Sequence, residues 1–139
     1  MKGIILMSHG PLAKGMYETT KLFMGEDIPQ YGYLCLEASD APEDFDVALK
    51  EKIKEVDCGE GVILLADLMG GTPCNRAVIA LADGNAEMLA GMNLAAVLEL
   101  LGNRLSGNYD MAGLEQTGKD GVVYVNPIFD RQMSGDDDE

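Results

Sequence analysis

The chain contains a single histidine, His9, within the stretch ILMSHGPLAKG at residues 5–15. A neutral imidazole is a good nucleophile and changes charge near neutral pH. His9 follows a short apolar run, residues 3–8, and precedes Gly10-Pro11, a pair typical of a chain break. The sequence therefore predicts His9 in a loop at the end of a strand, where a histidine is either merely solvated or chemically used.

An aspartate is a candidate hydrogen-bond partner for this ring. Asp67 directly follows the most hydrophobic run of the chain, residues 61–66. A carboxylate that accepts the Nδ1–H bond of an imidazole fixes the tautomer, leaves Nε2 with its lone pair, and stabilises positive charge on the ring. Asp67 could instead cap the turn that follows it.

The segment after Asp67, LMGGTPCN at residues 68–75, has the composition of an anion site. Gly70 and Gly71 permit a tight turn, Thr72 is a suitable N-cap, and Pro73 suits the first helical position. A helix start of this kind presents unpaired N–H groups and the positive end of a dipole to a phosphoryl group. The plainer reading is a strand-to-helix connection without a ligand.

The elements that must position these residues alternate between strands and helices. The predicted strands are residues 3–8, 31–36, 61–66, 86–90 and 121–125, and the predicted helices lie near residues 12–24, 40–56, 72–82, 93–101 and 110–117. Because the first three strands are apolar throughout, we expect a mainly parallel sheet covered on both faces. The predicted fold is a doubly wound, three-layer α/β sandwich with the flavodoxin-like strand order 2-1-3-4 and an antiparallel last edge strand.

This strand order brings the candidate residues together. In open α/β sheets, ligands bind beyond the carboxyl ends of the strands where the strand order reverses, here between strands one and three. His9 and Asp67 would meet at that crevice. The phosphate-binding motifs G-x-x-x-x-G-K-[ST] and G-x-G-x-x-G are both absent from the sequence, so the site suits a phosphoryl group carried on the protein better than a bound nucleotide.

Composition narrows the class of protein. A chain of 139 residues that is 47% hydrophobic fits one domain, which we place at residues 1–125. The net charge of −14 argues against nucleic-acid binding and is compatible with a basic protein partner. Residues 126–139 end in SGDDDE, which carries four of the negative charges, and are predicted to be a disordered acidic tail.

Neither a metal nor a cofactor is expected. Cys35, Cys58 and Cys74 are far apart, form no C-x-x-C motif, and have only one histidine to join them. The sequence has no apolar run of about 18 residues and no signal-peptide pattern at its start, so we expect a cytoplasmic protein.

Three motifs carry a family resemblance. With SHG at 8–10, DLMGGTPCN at 67–75 and AGMNLAAVLE at 90–99, the sequence resembles the IIA domain of the mannose/fructose/sorbose class of bacterial sugar phosphotransferase systems over residues 1 to about 125. The resemblance implies a phosphotransferase whose phosphoryl carrier is His9 and whose orienting aspartate is Asp67. Thr72 matches the Ser/Thr near the phosphoryl group in that family, and Gly70 and Gly71 belong to the same motif.

The resemblance also implies partners. The carrier protein HPr would donate the phosphoryl group, a separate IIB subunit would receive it, and membrane components IIC and IID would carry the sugar. Members of the family are homodimers in which the last strand, here 121–125, exchanges or packs across the interface. One departure is Ala95, where the third motif commonly has proline, so no phosphate contact is assigned to that helix.

Several alternatives stay open at this point. The same histidine could serve a regulatory module that signals sugar flux without feeding transport. A phosphocarrier subunit of a dihydroxyacetone kinase system has a similar fold, although the complete G-G-T-P string fits the sugar-transport class better. The plainest alternative is a flavodoxin-like binding domain without phosphotransfer.

Overall fold

The computed structural model describes residues 1–82 and 84–133. Within these ranges, four strands alternate with three helices in the first two thirds of the chain, and three more helices follow. The elements are β1 (Gly3–His9), α1 (Leu12–Met24), β2 (Tyr31–Leu36), α2 (Pro42–Val56), β3 (Val62–Ala66), α3 (Thr72–Leu81), β4 (Ala86–Ala90), α4 (Leu94–Arg104), α5 (Met111–Asp120) and α6 (Val125–Met133).

The four strands form one parallel sheet in the order β2-β1-β3-β4, which confirms the predicted order. Consecutive side chains of the central strands point to opposite faces. Ile4 and Leu6 of β1 pack in a cluster with residues of α1, α4 and α5, whereas Ile5 and Met7 pack in a second cluster with residues of α2 and α3. Both faces of the sheet are thus covered, as the uniformly apolar strands predicted.

The prediction of a fifth, antiparallel edge strand at 121–125 is wrong for this structure. Residues 122–124 lie in no strand, and α6 begins at Val125. The run of β-branched residues has strand propensity, but propensity forms a strand only where a neighbouring strand offers hydrogen bonds. Residues 125–133, of which all but the first fall in the predicted disordered tail, form this helix; the final residues 134–139 lie outside the described part of the chain.

Two helix starts differ slightly from their predictions. Helix α2 begins at Pro42 instead of at Asp40, whose carboxylate accepts a hydrogen bond from the Glu37 N–H. Helix α3 has Gly71 at its N-cap, so Thr72 occupies the first helical position and not the cap. The predicted cap of α4 is correct, because the Asn93 side chain accepts a bond from the Ala96 N–H at 3.0 Å.

The two ends of the sheet differ in how their polar groups are used. At the amino end, the buried Arg104 guanidinium donates to the carbonyls of Lys2, Pro29 and Gln30 and so joins α4 to the starts of β1 and β2. The carboxyl end carries the loops after β1 and β3. Among the described helices, none is long and apolar enough to cross a membrane.

Candidate functional site

His9 and Asp67 meet at the carboxyl ends of the two central strands. His9 is the last residue of β1, and Asp67 follows β3 directly, where its N–H donates to the Met7 carbonyl at 3.1 Å. His9 Nδ1 lies 2.8 Å from Asp67 Oδ2, and the His9 backbone N–H donates to the same oxygen at 2.9 Å. The geometry agrees with the sequence prediction that these side chains are neighbours.

The carboxylate of Asp67 is ionised in this environment. Burial by itself raises the pKa of Asp67, but the bonds from the His9 backbone, the His9 ring and the Leu68 N–H outweigh it, and the net pKa is lowered. An ionised carboxylate can only accept a hydrogen bond, so the ring proton of a neutral His9 lies on Nδ1. Nε2 then carries the lone pair.

Burial differs sharply between the two partners. The Asp67 side chain is 8% exposed, whereas the His9 side chain is 45% exposed. Apart from Asp67, no described residue forms a hydrogen bond with the His9 ring. The ring is therefore held from one side by a buried carboxylate and is open to solvent and to an approaching molecule on the other.

Gly71 lies directly against the imidazole. A Cβ atom added there would lie 2.6 Å from His9 Cε1 and 3.3 Å from Nε2. Gly71 itself has φ −76°, which any residue can adopt, so the requirement for glycine is steric. Gly70 is different, because its φ of +83° is the left-handed conformation that favours glycine, and an added Cβ would meet nothing within 4 Å.

The start of α3 lies against the His9 ring at Gly71 and leaves several hydrogen-bond donors open. The Asn75 N–H donates to the Gly71 carbonyl at 2.8 Å and makes the first backbone bond of the helix. The N–H groups of Gly71, Thr72 and Cys74 precede it and have no backbone acceptor in the described chain, and the Thr72 hydroxyl also lacks a hydrogen-bond partner there. Thr72 and His9 line one shallow depression together. This arrangement suits a small anion held next to the His9 ring.

Two polar residues that sequence reasoning did not single out hold the loops in place. Ser8 is fully buried, and its hydroxyl accepts the Ala13 N–H at 2.7 Å and donates to the Gly10 carbonyl at 3.0 Å. The Asn75 amide donates to the Gly70 carbonyl at 2.9 Å. Both residues belong to the motifs quoted above. A small polar residue next to the histidine, or in the first turn of the following helix, is the sequence feature that could have predicted these loop contacts.

His9 stands between two depressions of different character. The first is mainly apolar and is formed by the starts of α1 and α4, including Leu12, Met16 and Leu94. The second carries Glu37, Asp40 and Thr72 from the β2–α2 loop and the start of α3. A separate cleft between α2 and α3 shares no residue with either depression and does not contain His9.

Among curated proteins, this chain is similar in sequence to a component of a mannose phosphotransferase system. The mannose-specific EIIAB component of Escherichia coli K12 is 27% identical over 123 residues, which cover 86% of this chain and 38% of that protein. The chain thus spans less than half the length of the curated relatives it matches.

Solved structures agree with the fold. The mannose/sorbose-specific IIA subunit from Enterococcus faecalis is 32% identical, covers 88% of this chain and 94% of that one, and superposes with a TM-score of 0.74. The IIA protein associated with the fucose utilization operon of Streptococcus pneumoniae has a TM-score of 0.83 at 24% identity, over 92% of this chain and 96% of that one.

The part of the chain that matches a known family includes the candidate site. Residues 3–112 match the family described as the fructose IIA component of the phosphotransferase system, EIIA-man. That range includes His9, Asp67 and the start of α3, and it comprises most of the chain. This chain belongs to the EIIA-man family of phosphotransferase-system IIA components.

Proposed function

We propose that this protein is a cytoplasmic histidine phosphocarrier that accepts a phosphoryl group from phospho-HPr on His9 and passes it to a IIB component for sugar uptake through IIC and IID. The observation that carries the proposal is the 2.8 Å contact between His9 Nδ1 and a buried Asp67 carboxylate. This contact leaves Nε2 as the nucleophilic nitrogen, and half of the ring is open to a partner protein.

The transfer step needs little from the protein besides positioning. The lone pair of His9 Nε2 attacks the phosphorus of phosphohistidine on HPr, a new N–P bond forms, and the old N–P bond breaks with its electron pair returning to the HPr imidazole. The His9 proton stays on Nδ1, where the Asp67 carboxylate offsets the positive charge of the phosphorylated ring. Transfer to IIB reverses these roles, with a nucleophile of IIB attacking the same phosphorus.

The phosphoryl oxygens are received by the start of α3. The N–H groups of Gly71 and Thr72 and the Thr72 hydroxyl have no other partner in the described chain, and Gly71 is in contact with the ring that would carry the phosphoryl group. A phosphoryl group adds about −1.5 to −2 charges beside the Asp67 carboxylate. The positive end of the α3 dipole offsets this repulsion.

The direct test is phosphoryl transfer in vitro. The protein is incubated with HPr, the enzyme that phosphorylates HPr and ³²P-labelled phosphoenolpyruvate, and a purified IIB component is then added. We expect acid-labile label on the wild type, none on His9→Ala, and a labelling rate lowered by about 10²-fold or more in Asp67→Asn. Asp57→Asn is a matched control, because the Asp57 carboxylate accepts bonds from Gly59 and Gly61 away from the site. An unlabelled wild type contradicts the proposal.

The proposal includes a homodimer. In the described chain, β4 lies at the edge of the sheet with one neighbour, β3. Val122, Val123 and Tyr124 are 79%, 52% and 77% exposed, which is unusual for three consecutive apolar residues. Pairing of this segment with the β4 edge of a second copy would cover both surfaces. Light scattering on the purified protein tests the dimer separately from phosphotransfer.

A further inference from the structure

A cleft of about 300 Å³ lies between α2 and α3 on the face of the sheet opposite α1. Its most buried lining residues are Leu49 and Val62, which belong to the hydrophobic core on this side of the sheet. Ile79 lines the cleft from α3 and is 59% exposed, so a large aliphatic side chain is open to solvent there. A concave and mainly apolar surface of this size is typical of the smaller sites that bind organic molecules.

The α2 wall of the cleft is both apolar and basic because of helical spacing. Five residues of α2 line the cleft, at positions 46, 49, 50, 53 and 54, and this spacing places them on one face of the helix. Leu49 and Ile53 are the apolar members, and each is followed directly by a lysine, Lys50 and Lys54. An apolar surface and two lysines one turn apart therefore face the same opening.

The charge of the cleft is opposite to that of the chain. Among the described residues that line it, three are basic (Lys50, Lys54 and Arg76) and one is acidic (Asp46), in a protein whose net charge is −14. Arg76 donates two hydrogen bonds to the Asp46 carboxylate, and this pairing, more than the charge of Lys50, lowers the pKa of Asp46. The carboxylate at the cleft is thus ionised and already paired with the arginine.

The two lysines have no such partner. Neither Lys50 nor Lys54 forms a salt bridge with a described residue, whereas Lys52 on the same helix pairs with Glu55. Like charges one turn apart on a helix repel each other. An anionic group between the two ammonium groups would relieve this repulsion and would accept charge-assisted hydrogen bonds from both.

We propose that the α2–α3 cleft is a binding site for a small amphipathic carboxylate. The hydrocarbon body of this ligand lies against Leu49, Ile53 and Ile79, where it removes apolar surface from water. Its carboxylate lies between Lys50 and Lys54 at the edge of the cleft. The cleft shares no lining residue with the two depressions beside His9, so this inference is independent of the proposed phosphotransfer.

Three probes, titrated into the ¹⁵N-labelled full chain, test the assignment. Octanoate carries the hydrocarbon body and the carboxylate, octylammonium carries the same body with the opposite charge, and acetate carries the carboxylate alone. By two-dimensional NMR we expect octanoate to shift the amide signals of residues 46–54 and 76–80, with a dissociation constant of about 1 mM or lower. Octylammonium and acetate are expected to bind this cleft at least about 10-fold more weakly.

Two results of this titration would overturn the inference. Equal affinity of the cleft for octanoate and octylammonium would show that the lysines do not recognise an anion. Shifts confined to Gly71 and Thr72 would place the carboxylate at the start of α3 and not in the cleft.

A pair of double variants tests the charged half of the site. Lys50→Gln with Lys54→Gln removes both free charges from the cleft and is expected to weaken octanoate binding about 5-fold or more. Lys14→Gln with Lys119→Gln is the matched control, because it removes the same charge from α1 and α5, which pack on the opposite face of the sheet. Equal weakening by the two double variants would indicate attraction to overall charge alone and would contradict the site.

A second pair of variants tests the apolar half. Ile79→Ser is expected to weaken octanoate binding about 3-fold or more. Val78→Ser is its control, because Val78 is the neighbouring residue on α3, is 50% exposed and does not line the cleft. The amide spectra of both variants report whether they fold, and equal weakening by the two would contradict the inference.

The titration also distinguishes a small molecule from a protein as the occupant. A dissociation constant for octanoate that rises as the protein concentration is raised would show that a second protein surface covers the cleft, and would overturn the assignment to a small molecule. Labelling of His9 on the same preparations records phosphotransfer separately, so failure of one proposal is not mistaken for failure of the other.

Discussion

At the scale of single residues, His9 and Asp67 combine an exposed nucleophile with a buried charge. The carboxylate is 8% exposed and is held by three hydrogen bonds, whereas the ring that it orients is 45% exposed. A carboxylate fixed in this way needs no rearrangement when positive charge develops on the imidazole. Asp67 thus makes the site rigid, and the exposed ring of His9 makes the site accessible to other molecules.

Gly71→Ala is expected to impair phosphotransfer much more than stability. The added methyl group would lie 2.6 Å from His9 Cε1, so the ring must move away from Asp67 or from the start of α3. A displacement of about 1 Å at a reacting centre costs up to about 10²-fold in rate. Rapid-quench measurement of labelling from phospho-HPr gives the rate, and urea unfolding gives the stability.

Gly70→Ala is the matched comparison with the opposite outcome. Alanine at φ +83° costs about 1–2 kcal/mol of stability, but its methyl group meets no atom within 4 Å. We expect a lower free energy of unfolding with a labelling rate closer to that of the wild type. If both variants lost labelling equally, contact with the ring would not be the reason for glycine at position 71.

The sequence predicted which residues form the site, but it did not predict why each residue type is needed there. The types and order of His9, Asp67 and the glycine pair predicted their meeting, because the strand order determines which loops are adjacent. Gly71 was interpreted as a turn residue, and its close approach to a ring 62 positions earlier in the chain depends on side-chain packing that no local pattern encodes.

At the scale of elements, the turn from β1 to α1 depends on one buried hydroxyl. Ser8→Ala would leave the buried Ala13 N–H without its acceptor and is expected to lower the free energy of unfolding by about 1–2 kcal/mol. Ser106→Ala is the control, since that exposed hydroxyl donates only to the Asn103 carbonyl, and a change within about 0.5 kcal/mol is expected. Similar losses in both variants by urea unfolding would argue against this role for Ser8.

Some secondary-structure elements could be predicted from the sequence and one could not. The four paired strands were predicted from apolar runs that the sheet buries, and Asn93 was predicted as a cap from local chemistry. The fifth strand failed because residues 121–125 have strand propensity but no neighbour within the described chain. Burial of a run can be inferred from its own composition, whereas its pairing depends on another segment or another molecule.

At the scale of the whole molecule, the C-terminal segment is separable from the folded body. None of residues 122–133 is buried, and the His9 site is built from residues that precede them. A chain that ends at Gly121 is expected to fold and to accept label on His9. Its melting temperature should be independent of protein concentration, unlike that of the proposed wild-type dimer.

Calorimetry over a hundredfold range of concentration measures this difference. A melting temperature of the full chain that does not change with concentration would contradict the dimer. Failure of the shortened chain to unfold cooperatively would show that the segment contributes to the core, contrary to its exposure.

Because His9 has a single open nitrogen, proteins that react with it must bind one after the other. With Nδ1 occupied by Asp67 and Gly71 in contact with the ring, any two proteins that exchange a group through Nε2 must occupy the same approach in turn. Under the proposed function, the donor and acceptor proteins therefore compete for the same surface of this chain. If the proposed function is correct, flux through the carrier should pass through a maximum and then decline as the unphosphorylated donor protein accumulates and competes for the surface around His9.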